Sequence, residues 1–495
     1  MCALNPIPSG FQLQSDWQSS TPPNVPVMPA SWTAAVLLSP FGDSVAPMGN
    51  YSQLAVATIE SSFTAVESWM RVRLSLTRDH TYFDFAFVNV NRPGQSPRYE
   101  WYWIDSTPAG QVKKIFGPFS TTLQIPGTGL FTDNDTRWGN SYPLMCTDTN
   151  PRGIECDHWV LRTPGAADHG SWYAFRRDTG NLFRIFNMDC TNPQMIPILG
   201  SYYIVNIGHF ALNTSKQSTE IFALIKSGAA APHAGYWNPM VTQEDIQRAI
   251  ATPLASADST AEEIQSVIPG FSAMPSGVAL PQWTDKTYIE GWTLGTDFIP
   301  YFTRVCYLWT GDADSKQQTV FIGQGPTGGE GSYLKRTDTC LNTQRTDQPY
   351  LEWNNGAKTW ELKKCLDPLP GVGLPFPDWL ARDGGVAMGQ IIGNPSFGLA
   401  PGQVLNLVAA ELQRGKGELA IFWVWFLGNG TGMLFSEGNF MNSMSHNLQL
   451  IDYNLFLRNA PVTSADFSNP CGVAAERRVA PVSGVLGHLM RMGSV

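Results

Sequence analysis

The sequence predicts a mainly β protein: two antiparallel, sheet-based halves of sandwich or half-barrel type, joined by a short helical segment and flanked by extended termini. Three observations predict it. Turn formers are abundant, with 46 Gly and 36 Pro in 495 residues, above their usual shares of about 7% and 5%. Charged residues are scarce at 15%, while 43% of residues are hydrophobic and 12% aromatic. Finally, apolar and polar residues alternate in short runs bounded by turn residues, the period of half-buried strands. The same balance excludes a disordered chain, which is rich in charge and poor in aromatics. It also excludes a coiled coil, which needs a composition dominated by helix formers.

Taken in order, residues 1–35 carry Pro6, Pro8, Pro22, Pro23, Pro26 and Pro29 and are expected as an extended N-terminal arm. A first β-rich domain is expected over 36–226. Within it, Ser68 to Leu76 alternates, with Trp69 facing away from the side of Met70, Val72, Leu74 and Leu76. Tyr82–Val90 and Tyr99–Ile104 flank a turn through Pro93-Gly94, and Ser171–Arg177 and Leu182–Asn187 flank Asp178-Thr179-Gly180-Asn181. Each pair predicts a hairpin. Residues 227–285 read as a linker. There Thr242 precedes Asp245 and Ser259 precedes Glu262 by three residues, a helix-start pattern that predicts short helices over 243–251 and 260–268. A second β-rich domain follows over 286–460, with strands around 298–309, 319–323, 350–353, 359–362, 419–427 and 432–435. Residues 403–412 fit helix or strand. Residues 461–495 form a C-terminal tail.

Each half has a Cys-containing segment and an aromatic hairpin: Cys146 with Trp172–Phe175 turned at Gly180, and Cys340 with Leu351–Trp353 turned at Gly356. That match is too loose for a repeat, so chance similarity of two hairpins is the expectation.

Partners are bounded by charge. The net charge is −9 and no basic run is present, which argues against a nucleic-acid partner. The longest hydrophobic run, Leu419–Leu427, is too short to span a bilayer as a helix. With no signal-peptide pattern at the N-terminus, cytoplasmic is the default localisation. Of eight cysteines, Cys146/Cys156 and Cys340/Cys365 are spaced for local bridges, but reduced, buried thiols are the expectation. There is no C-x-x-C, P-loop, H-E-x-x-H or G-x-S-x-G pattern, and no residue pattern names a metal or a cofactor.

Three constellations point to chemistry. Asp157-His158 and Asp168-His169 flank a turn-like Thr163-Pro164-Gly165. A hairpin there would bring both His together, each with a carboxylate to tune it for acid/base work. In the Ser171–Asn187 hairpin, pairing Arg177 with Leu182, Phe175 with Arg184 and Tyr173 with Phe186 gives one face of Tyr173, Phe175, Arg177, Leu182, Arg184 and Phe186. Two guanidinium groups on an aromatic face either stack on the rings or hold an anion. Trp101 and Trp103 share a strand face, as do Trp423 and Trp425, so each pair is a core element or the aromatic wall of a pocket.

Together these features predict binding of an apolar or aromatic small molecule bearing an acidic group, anchored by Arg177 and Arg184. Cofactor-independent turnover by His158 or His169 is the finer expectation. The alternative is a structural subunit of a large homo-oligomer or closed shell, which low charge and Pro-rich arms suit.

Overall fold

The computed structural model describes residues from 26 to 471, leaving aside 41–54, 65–66, 77–81, 91–97, 105–111, 120–135, 145–153, 163–169, 188–201, 227–230, 233–262, 295–299, 312–313, 325–333, 343–345, 367–373, 375, 383–384, 415–417, 429–433 and 442–448. The chain is mostly antiparallel β-sheet with few helices. In the first half the strands are β1 (Ser31–Pro40), β2 (Ala55–Phe63), β3 (Ser68–Leu76), β4 (Tyr82–Val90), β5 (Arg98–Ile104) and β6 (Val112–Phe119). They continue as β7 (Thr136–Leu144), β8 (Ile154–Arg162), β9 (Gly170–Arg176), β10 (Leu182–Asn187) and β11 (Tyr202–Leu212). Helix α1 (Lys216–Lys226) and the two-residue β12 (Ala231–Pro232) follow.

The second half opens with β13 (Phe271–Ser272) and continues through β14 (Lys286–Leu294), β15 (Pro300–Leu308), β16 (Lys316–Gln324), β17 (Leu334–Asn342), β18 (Thr346–Asn354) and β19 (Thr359–Leu366). After the helical turn α2 (Trp379–Arg382) come β20 (Val386–Ile392), β21 (Val404–Arg414), β22 (Glu418–Leu427), β23 (Leu434–Met441) and β24 (Gln449–Arg458). Residues 404–414 are therefore strand, the second of the two forms expected for 403–412. Of the two expected helices, 243–251 lies outside the described residues, and the second appears as a helical turn at 263–265.

Both sheets share one strand order. The first runs β12-β6-β5-β4-β3-β2-β1-β11-β10-β9-β8-β7, and the second β13-β20-β21-β22-β23-β24-β14-β15-β16-β17-β18-β19. Without the two-residue strands, each is a six-strand meander whose first strand pairs with the last strand of a five-strand meander. Strand β1 thus corresponds to β14, β3 to β16, β5 to β18 and β9 to β22. The two hairpins compared in the sequence are not counterparts, since Trp172–Phe175 lies in β9, which corresponds to β22, whereas Leu351–Trp353 lies in β18, which corresponds to β5; the halves are related by strand order and not by those hairpins. Strand β1 sits between β2 and β11 with Ala34, Val36, Leu37 and Leu38 fully buried. The chain has therefore entered the core by Ser31, inside the stretch expected as an arm.

The second sheet curls. One buried cluster joins Ile289, Val305, Tyr307, Phe321 and Leu341 of β14–β17 to Val408, Val424 and Phe426 of β21–β22. In a flat sheet β17 and β21 would lie roughly 34 Å apart at about 4.8 Å per strand step. The enclosed inner face is filled by the chain itself, through Trp283, Leu374, Trp379 and Leu380. On the outer face of the first sheet, Trp69, Ala86, Val88, Tyr102 and Ile104 pack against Ile221, Phe222 and Ile225 of α1. Trp69 therefore does face away from Met70, Val72 and Leu74, as its alternation predicts.

The halves meet through their outer faces. A side chain at Gly208 of β11 would run into Ile268 and Phe397, and Phe397 stacks on Trp425 of β22 at 6.0 Å. Asn394 donates to the carbonyls of Gly208 and Pro269, which pins the short 3-10 turn Pro395–Phe397 between the sheets.

The cysteines depart from expectation. Cys365 bridges Cys471 across 106 residues, and Cys306 is also disulfide-bonded. Cys156 and Cys340 are not disulfide-bonded, so neither local bridge forms, and reduced thiols describe only part of the set. The pairing was hidden because it depends on the chain returning to β19 after β24.

Candidate functional site

The predicted site falls on β8, β9 and β10. Strands β9 and β10 form the expected hairpin, and Gly180 adopts φ +70 in its turn, a conformation that suits glycine. The amide of Gly180 donates to the carbonyl of Arg176. The register, however, differs. Leu182 faces Phe175, then a bulge intervenes, and Arg184 faces Ala174, with Ile185 opposite Tyr173 and Phe186 opposite Trp172. A one-residue slip moves a side chain to the other face of the sheet. Arg184 therefore leaves the face of Tyr173 and Phe175. It is buried on the outer side, with its guanidinium 5.5 Å from the Phe183 ring, which is the stacking outcome.

The inner face can be followed from strand to strand. Trp159 pairs with Tyr173, Tyr173 with Ile185, Val36 with Ala57, and Ala57 with Leu74. Trp159, Tyr173 and Phe175 are buried, as are Val36, Ala57, Ile59, Val72 and Leu74. Trp159 was not singled out in the sequence, although its two-residue spacing from Asp157 was the available signal. On β4 and β5, Phe85 pairs with Trp103 and Phe87 with Trp101. These backbone positions alternate with Tyr102 and Ile104, which pack under α1, so they belong to the inner face. The side chains of Trp101 and Trp103 lie outside the described residues.

Asp157 and Arg177 meet at the end of this face. Asp157 is opposite Phe175, and Arg177 Nε donates to its Oδ1 at 3.1 Å, with side chains 49% (Arg177) and 16% (Asp157) exposed. Such a pair is solvated and accessible. His158, opposite Ala174, occupies an outer-face position because neighbours in a strand point to opposite sides. Asp157 and His158 thus occupy backbone positions on opposite faces of β8. The His158 side chain, and the whole of Asp168 and His169, lie outside the described residues. Among the described residues, no group of three or more His, Cys, Asp or Glu is placed to hold a metal, and no helix is long and apolar enough to cross a membrane.

Beside this pair, Arg176 grips Asp178 through two hydrogen bonds of 2.9 and 2.6 Å and donates a third to the Pro395 carbonyl in the second half. Those bonds hold the Asp178 carboxyl below its ordinary range and raise the Arg176 guanidinium. The hairpin tip is thereby tied to the neighbouring sheet. Trp425 packs on the same short turn from the side of the second sheet. Val424 and Phe426 belong to the inner cluster, so Trp425 is on the opposite side, buried against Phe397. It is an interface core residue rather than a pocket wall. Trp423 has the same strand parity, and its side chain lies outside the described residues.

No family model matches the chain, and no curated protein sequence matches it. Solved structures with some similarity include a crystal structure of MucB in complex with MucA(peri), 11% identical over 81% of this chain and 90% of that one, with a TM-score of 0.17. The complex structure of Pseudomonas aeruginosa MucA/MucB gives the same values. Kievitone hydratase from Nectria haematococca is 8% identical over 88% of this chain and 92% of that one, with a TM-score of 0.13. Likeness at that level carries no argument about this protein.

Proposed function

We propose that the first sheet binds an apolar or aromatic small molecule bearing an acidic group, with the apolar body against the inner face and the acid at Arg177. The observation that carries this is the placement of an accessible Arg177–Asp157 pair at the end of the buried run Trp159, Tyr173 and Phe175. An apolar wall with few polar groups is the usual make-up of a small-molecule site. Arg177 is the anchor, because Arg184 stands on the other face. At the corresponding place in the second half, Val424 and Phe426 pack against the chain's own Trp283 and Trp379. Binding without an assigned proton-transfer residue is the extent of the proposal, since Asp157 is engaged by Arg177. We also place the protein in an oxidising compartment, in place of the cytoplasmic default, because disulfides such as the buried one at Cys306 persist there.

Native mass spectrometry of the purified chain, repeated after denaturation, tests the proposal. The expected spectrum is a small assembly carrying a removable organic mass. A large discrete oligomer with no adduct would overturn it in favour of a structural subunit.

A further inference from the structure

We propose that the Cys365–Cys471 disulfide is a redox-sensitive latch, holding residues 460–471 as a strap over a buried charged row on the outer face of the second sheet. Three sets of observations carry this.

The first is what lies beneath the strap. Arg336 makes two 2.6 Å hydrogen bonds to Asp338, and Gln318 donates to the same carboxylate at 2.8 Å. Arg336, Asp338, Gln318 and Asp347 are all at least 95% buried. Cys340, opposite both Gln318 and Asp347, completes the row. Burial pushes its thiol up, so it is a poor nucleophile while covered.

The second is how the strap is held. The Ala460 amide donates to the Lys286 carbonyl, and Val462 is fully buried among Tyr288, Cys306 and Leu308. Farther along, the Ser468 amide reaches Gln318, the Ser468 carbonyl receives the Cys340 thiol at 3.5 Å, and Asn469 donates to Asp347 at 2.6 Å. The strap ends on the disulfide. Cys365 lies on the edge strand β19 and is exposed, within reach of a soluble reductant, as labile disulfides are.

The third is the comparison between halves. The corresponding strands of the first sheet, β3 and β4, also bury an Arg–carboxylate pair, Arg71 with Asp84. It is covered by the segment following the last strand, here α1, whose Ser218 and Gln217 accept from Arg71. That cover is a helix with three apolar side chains docked on the sheet. The second half has an irregular strap and a covalent pin in its place.

Release is a thiol–disulfide exchange. One thiolate of a dithiol reductant attacks either sulfur and expels the other cysteine as a thiolate. The reductant's second thiol then resolves the mixed disulfide. The protein gains two electrons and two protons as two thiols, and the reductant leaves as a disulfide. The strap then opens and Cys340 becomes accessible.

The test is alkylation with N-ethylmaleimide, read by peptide mass spectrometry, on the full chain and on the Cys365→Ser/Cys471→Ser double variant, which leaves the Cys306 bond in place. Cys340 is expected to react at least about tenfold faster in the variant, because the thiol is then uncovered. Fully buried Cys156 should keep its wild-type rate. An unchanged Cys340 rate would overturn the latch, and so would a parallel rise at Cys156, which marks global unfolding. In wild type pulsed with dithiothreitol, hydrogen exchange should accelerate in 460–471 while β14–β16 stay protected. Uniform acceleration, or none, would count against the latch.

Discussion

Replacing Arg177 by Gln separates a ligand anchor from a structural ion pair. The guanidinium is about half exposed, with its Nε 3.1 Å from an Asp157 carboxylate oxygen. A solvated pair of that kind contributes about 0–1 kcal/mol to stability, so the urea midpoint should barely move. A hydrogen bond to a charged ligand group contributes about 1.5–3 kcal/mol, which corresponds to a loss of roughly 10- to 100-fold in affinity. The assay is a fluorescence titration with cis-parinaric acid and with its methyl ester. The variant should lose affinity for the acid and keep its affinity for the ester. An equal loss for both, or no loss for the acid, would refute Arg177 as the anchor. A large drop in stability would show that the pair is structural after all.

Other perturbations probe the frame around the site. Asp84→Ala leaves Arg71 buried without its carboxylate and should cost about 3–5 kcal/mol in chemical denaturation. Gly270→Ala should cost at least about 2 kcal/mol, because Gly270 has φ +78 and a Cβ there would sit 2.1 Å from the Ile392 carbonyl oxygen. Asp178 predicts a pH dependence. Its carboxyl is held low by hydrogen bonds from Arg176, so its contribution is present above the ordinary carboxylate range and is lost as pH falls through the lower folded value. Protection factors at the β9–β10 tip, which remove the intrinsic slowing of exchange in acid, should therefore fall as pH drops, and Asp178→Asn should show the lower protection already at neutral pH.

Much of the frame was legible because punctuation is local. The turn at Asp178–Asn181 marked the β9–β10 hairpin, and alternation in Ser68–Leu76 put Trp69 on its correct face. The site was less legible, since its geometry depends on register. The bulge beside Phe183 leaves no compositional trace, yet it moves Arg184 to the far side of the sheet. Where Asp157 stands could be read only from strand pairing, which sets it opposite Phe175, with His158 opposite Ala174. Trp425 gave no sign of facing the other half, because that follows from how two sheets pack. The Cys365–Cys471 bridge and the shared strand order are likewise products of chain return over a hundred residues or more.

The measurement that tests the central claim most directly is photo-crosslinking with a diazirine-bearing fatty acid, with the labelled peptides mapped by mass spectrometry. Labels on β8, β9 and the inner-face strands of the first sheet, suppressed by excess unlabelled acid and by Arg177→Gln, are the predicted result. Labels confined to the second sheet, or labels that unlabelled acid does not suppress, would contradict it.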